Sequence, residues 1–102
     1  MKMLVEFDVD ADIIDVPQRI VEERELLRHR FLKWLYNKRN KHKYWIRIDN
    51  NGQKCGMLCY RSDAFVEWLN KKVLQNSIEK AMVIEQHISV DDYREEYPII
   101  QF

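Results

Sequence analysis

The dipeptide Asn51-Gly52 constrains this chain more than any other two residues in it. Both central positions of a two-residue type I′ turn need positive φ, which Asn and Gly accept at least cost, so the pair closes a β-hairpin when apolar residues alternate on either side. They do: Tyr44-Trp45-Ile46-Arg47-Ile48 precedes the pair and Cys55-Gly56-Met57-Leu58-Cys59 follows it. A two-residue loop then fixes the register. Ile48 faces Cys55, Ile46 faces Met57 and Tyr44 faces Cys59 on the side expected to meet the core. Asp49 faces Lys54 and Trp45 faces Leu58 on the other. Aromatics on both sides predict that the outer side is covered as well.

The rest of the chain is arranged around this hairpin. Over 3–9, Met3, Val5, Phe7 and Val9 alternate with Leu4, Glu6 and Asp8, which predicts a half-buried strand. Its acids suit an edge, where charge discourages unwanted pairing. Asp15 before Val16-Pro17 reads as a helix start, a capping acid with proline in the first turn. Val16, Ile20, Leu27, Phe31, Trp34 and Leu35 continue as one apolar stripe, predicting a single helix over 15–37. Ser62 is expected to cap a second helix over 63–75, with Phe65, Val66, Trp68, Leu69 and Val73 as its stripe. Residues 79–88 fit helix or strand; the β-branched Val83, Ile84 and Ile88 favour a strand. Ser89-Val90-Asp91-Asp92 resembles a capping box, predicting a short helix over 90–96 that Pro98 ends. The apolar 99–102 is a possible last strand. The expected fold is α+β: one domain over 1–102, a central antiparallel hairpin with flanking strands and two main helices. Its order is β-α-β-β-α-β-α, close to a split βαββαβ sandwich.

The chain has 102 residues and is 46% hydrophobic with only two glycines and two prolines, which suits one folded core and not a disordered chain. No apolar run approaches a membrane span, and acids follow the first residues too closely for a signal peptide. Two cysteines are too few for a disulfide framework. Cys55 and Cys59 would lie ~13 Å apart on a strand, too far to share a metal, and are expected to be buried, unreactive thiols. The expected setting is the cytoplasm.

The net charge of zero conceals three blocks. Residues 28–72 hold twelve bases against three acids (+9), residues 1–27 three against eight (−5), and residues 73–102 two against six (−4). Arg28, Arg30, Lys33, Lys38, Lys71 and Lys72 fall late in the expected helices, where cations complement the helix dipole. The remainder is a basic loop and hairpin over 39–61, net +5. Arg39, Lys41, Lys43, Arg47, Lys54 and Arg61 can meet phosphates there, with Tyr44 and Trp45 beside them to stack on bases. The acidic ends could instead fold back onto this patch.

Residues 52–69, Gly-Gln-Lys-Cys-Gly-Met-Leu-Cys-Tyr-Arg-Ser-Asp-Ala-Phe-Val-Glu-Trp-Leu, carry a basic strand, then Arg61-Ser62-Asp63 and an apolar run ending in Trp68-Leu69. This stretch resembles the wing and following helix of excisionase-type DNA-binding domains, which implies a DNA contact through the wing. Such domains carry a helix-turn-helix before the wing, where this chain reads as one continuous helix.

Other chemistry is sparse. Asp8-Val9-Asp10-Ala11-Asp12 opens like an EF-hand loop, but Ile13 and Arg19 stand where that loop needs Gly and Glu. An acidic strand end explains the same residues. His42, in the basic loop, is a candidate general base for a small nuclease. His29 is expected at a helix surface and His87 as a structural histidine. No catalytic constellation or phosphate-cradling glycine loop is present, so neither a cofactor nor a metal is expected. The chain reads as a non-enzymatic binding or regulatory module, with nucleic acid as the first candidate partner. The alternative is a protein partner or homodimer using Trp, Tyr and Arg anchors. No membrane or small-molecule substrate is indicated. Small size and segregated charge would suit an accessory protein of a phage or mobile element.

Overall fold

In the computed structural model the chain is described over residues 1–50, 53–89 and 97–102; for 47–50 and 53–55 the backbone alone is described. The fold is α+β: among the described residues, a mixed four-stranded sheet and a separate two-stranded ribbon with three helices.

The alternating N-terminal segment is two strands, not one. β1 (Lys2–Glu6) turns at 7–10 and returns as β2 (Ala11–Asp15), pairing Met3 with Ile14 and Val5 with Asp12. The turn is closed by the Phe7 N–H donating to the Asp10 carbonyl at 2.8 Å. Asp residues favour such turns, and Val9, assigned by alternation to the buried face, is 81% exposed. Nor is β1 an edge. The sheet order is β5-β2-β1-β6, where β5 is Met82–Ile88 and β6 is Ile99–Gln101, parallel to β1. Both sheet faces are therefore covered near β1. Met3, Val5, Ile14 and Ile100 face the main core, while Leu4, Ala11, Ile13 and Ile88 form a second cluster with Tyr97.

The expected helix over 15–37 is interrupted. α1 (Gln18–Glu22) and α2 (Arg24–Leu35) meet at Glu23, and Asp15 ends β2 instead of capping a helix. The Asp15 carboxylate accepts from the N-terminal amine at 2.8 Å. Arg24 stabilises the break: its guanidinium donates to the Val21 carbonyl at 2.8 Å and to the Ile99 carbonyl of β6 at 3.1 Å. The apolar stripe is nonetheless as expected, with Val16, Ile20, Leu27, Phe31 and Leu35 buried. Phe31 is fully buried at the centre of an aromatic cluster, its ring 5.3 Å from Phe65, 5.7 Å from Trp68 and 5.6 Å from Phe102.

α3 (Ser62–Trp68) continues into a π-helical turn, Leu69–Val73. Ser62 is its first residue and not its cap. Residues 82–88 are a strand, as the β-branched residues predict. The expected helix over 90–96 lies outside the described residues.

The hairpin strands β3 (Trp45–Asn50) and β4 (Gln53–Leu58) pair in the expected register, from Trp45 with Leu58 to Asn50 with Gln53; the Asn51-Gly52 turn itself lies outside the described residues. The hairpin forms a ribbon of its own rather than the centre of the main sheet. Within the strands its faces are the reverse of those expected, while Tyr44, just before β3, is buried in the main core as expected. Ile46 and Met57 are 42% and 51% exposed, while Leu58 packs on the core and Trp45 is half-buried. Period-two alternation separates the faces without saying which one the core claims. Here Trp45 is drawn in by His42, whose ring lies parallel to it at 5.9 Å.

Candidate nucleic-acid interface

The loop between α2 and the hairpin is built as the cap of α2. A helix end leaves carbonyls without partners. Asn40 Nδ2 donates to the Trp34 carbonyl at 2.8 Å and His42 Nε2 to that of Leu35 at 2.9 Å. His42 Nδ1 accepts from the Tyr44 N–H at 3.3 Å. A carbonyl on one ring nitrogen and an N–H on the other require the neutral ring protonated at Nε2. Both nitrogens are thus engaged in the fold, which leaves His42 no free nitrogen for the general-base role its sequence context suggests. The ring also lies 4.7 Å from that of Trp34, tilted by 37°.

This hydrogen-bonded loop forms one wall of a cleft of about 450 Å³. The opposite wall is α3 and its π-turn. Lys41 and Lys43 come from the loop, Lys71 and Lys72 from the π-turn, with Trp34 and Trp68 among the apolar lining. Glu67 of α3 is the one carboxylate among the described lining residues. It accepts from the Tyr44 hydroxyl at 2.5 Å and from Lys71 Nζ at 2.8 Å, and pairs with Lys43 Nζ at 3.2 Å. Bonds from Lys71, Tyr44 and Lys43 hold its carboxyl down at about 2. Tyr44 is buried; that burial, with the Glu67 carboxylate beside it, pushes its phenol well up, so it remains a donor. Arg30 lies behind the same wall, its guanidinium 6.0 Å over the Trp68 ring.

The bases singled out in the sequence thus divide. Arg39, Lys41 and Lys43 are exposed on the loop. Tyr44 faces inward to Glu67, and Trp45 is half-buried against His42. The side chains of Arg47 and Lys54 lie outside the described residues. Arg61 is not part of the cleft. It donates to Asp10 at 2.9 Å and Asp12 at 2.5 Å, and lies 4.6 Å over the Phe7 ring. So one acidic end does fold back, onto Arg61.

Asp12 is fully buried on the helix-facing side of β2. Its Oδ2 accepts from the Ser62 hydroxyl at 2.5 Å and the Ser62 N–H at 3.3 Å, supplying from a distant strand the cap that α3 lacks locally. Its Oδ1 accepts the His87 N–H at 3.1 Å. There Gln86 and His87 stand opposite Asp12 alone, a β-bulge, and His87 takes φ 59°. His87 Nδ1 meets Asp10 at 3.0 Å. Burial pushes the Asp12 carboxyl up, but the bonds from Arg61, Ser62 and His87 hold it below the usual carboxylate range. Bonds from His87 and Arg61 lower Asp10 likewise. The acid-rich 8–12 segment is therefore a partner for a guanidinium. No cluster of metal-ligating side chains occurs among the described residues. Cys59 is exposed, contrary to the buried thiol expected; the Cys55 side chain lies outside the described residues.

Sequence reasoning missed Glu67, Lys71 and Lys72 as members of one site. Their helical positions explained them as dipole complements. The available signal was the Glu67–Lys71 spacing of four, which places them on one face. No protein-family model matches the chain, and comparisons with the curated proteins and with the solved structures give no match.

Proposed function

We propose that this chain is a small, non-enzymatic nucleic-acid-binding module of the cytoplasm whose contact surface is the cleft between the 37–44 loop and α3, extended by the basic hairpin. The observation that carries the reading is convergence. Lys41, Lys43, Lys71 and Lys72, from two elements, line one cleft with Trp34 and Trp68, against a single carboxylate. Lysines neutralise phosphates and release counterions, and half-buried Trp34 is the ring best placed to meet a base. Capping by Asn40 and His42 fixes the loop in advance, so little ordering is left to pay for on binding. No described helix is long and apolar enough to cross a membrane. The test is fluorescence anisotropy with a labelled oligonucleotide, single-stranded and as duplex, at low ionic strength. Saturable binding that weakens steeply with salt is expected, and its absence for DNA and RNA alike overturns the reading.

One observation favours a second reading, self-association. Ile46 and Met57 are exposed on one hairpin face, and Met82 and Ile84 on edge strand β5 are 56% and 45% exposed. Such apolar surface suits a protein partner or a second copy. Light scattering decides it: a dimer is expected, and a monomer at high concentration overturns it.

A further inference from the structure

We propose that Glu67 is an internal competitor for phosphate: its carboxylate fills the position between Lys43 and Lys71 that a nucleic-acid phosphate takes, and so sets the affinity of the cleft. This rests on the nucleic-acid reading above. Glu67 gathers three donors, from Tyr44, Lys71 and Lys43, at 2.5, 2.8 and 3.2 Å. That is a donor set for an anion with more than one acceptor oxygen, which describes a phosphate as well as a carboxylate. The two lysine side chains are 70% and 68% exposed and the Glu67 side chain 35% exposed, so all three can be reached from solvent. Lys41 and Lys72 line the same cleft, and among the described residues neither pairs with a carboxylate, so an arriving backbone is attracted by them first and then competes with Glu67 for the other two. Glu67 stands one residue before the end of α3, and a change of side-chain rotamer withdraws its carboxylate without moving the helix. Tyr44 stays in place, buried and ready to donate to whichever anion occupies the seat.

The experiment measures binding of a fluorescein-labelled DNA oligonucleotide across a salt series. Glu67→Gln keeps the shape and an acceptor for Tyr44 but releases both lysines. It is expected to bind about fivefold tighter at low salt, with a salt dependence steeper by about one to two in log–log slope. Asp63→Asn removes the same charge from an exposed position on the same helix and is expected to change affinity far less. Lys71→Ala is expected to weaken binding in both backgrounds, and by severalfold more in the Glu67→Gln background, where no carboxylate competes for the lysine. A folded Glu67→Gln protein that binds no tighter, an equal gain from Asp63→Asn, or an equal Lys71→Ala loss in both backgrounds overturns the proposal. If neither the native protein nor Glu67→Gln binds this oligonucleotide or its RNA counterpart at low salt, the nucleic-acid reading itself falls. Binding by the native protein without the expected gain defeats this inference alone.

Discussion

Arg61 and Lys43 both belong to the most basic stretch of the chain, both meet carboxylates, and the two meetings have opposite consequences. Around Arg61, two carboxylates share one guanidinium. Asp12 is fully buried, the Asp10 side chain is 18% exposed and that of Arg61 26%. Every charge there is used to tie β2, the β5 bulge and the start of α3 together. Around Lys43 the ratio is inverted, one half-exposed carboxylate among four lysines. Positive charge is left over, and it faces solvent. A block of charge in a sequence therefore does not say which bases are available to a partner. Burial and the local number of carboxylates decide that.

Substitutions at three positions sharpen or break this contrast. Asp12→Ala should have the largest effect, about 3–5 kcal/mol of unfolding free energy by urea denaturation, because it leaves Arg61 short of a buried partner and α3 without its cap. The same network should make the protein acid-sensitive. The Asp10 and Asp12 carboxyls are lowered by folding, so they contribute stability above the ordinary carboxylate range, and that contribution is lost as pH falls through their lower folded values. Asp12→Asn should flatten the acid limb of melting temperature against pH; superimposable limbs would remove the network from the account. His87→Gly should be more stable than His87→Ala by about 1 kcal/mol, since both lose the Asp10 contact and only glycine accepts the left-handed backbone freely. Equal stabilities would mean that the bulge relaxes. Glu67→Gln should change stability least, by about 0–1 kcal/mol, because its pairs are exposed and screened. A loss as large as that of Asp12→Ala would erase the distinction between the two regions.

Local chemistry made part of this legible in advance. A two-residue loop expected at Asn51-Gly52 predicted the register in which β3 and β4 pair, and the spacing of Ile20, Leu27, Phe31 and Leu35 marked the buried side of the helices. What escaped was decided at a distance. Val9 continued an alternating pattern through what is a turn, since period two has no term for the Asp8 and Asp10 chemistry that bends the chain. The break at Glu23 depends on Arg24 reaching the Ile99 carbonyl, 75 residues away. Ser62 looked like a cap because serine usually is one; here Asp12 of a distant strand takes that role. The candidate site was half visible. Lys41 and Lys43 stood out in a basic loop, while Lys71 and Lys72 were hidden by an adequate local explanation. Arg61 resembled them until its two aspartates came into contact.

The most direct test of the contrast is the salt dependence of oligonucleotide binding by the native protein and by Lys41→Ala/Lys72→Ala, followed by anisotropy. If the cleft lysines are the free charge, the native log–log slope on single-stranded DNA should be roughly −2 to −3, and the double substitution should make it shallower by about 1 to 2. No binding at low salt, or a slope that the double substitution leaves unchanged, would contradict the claim that the charge left over at the cleft is what meets a partner.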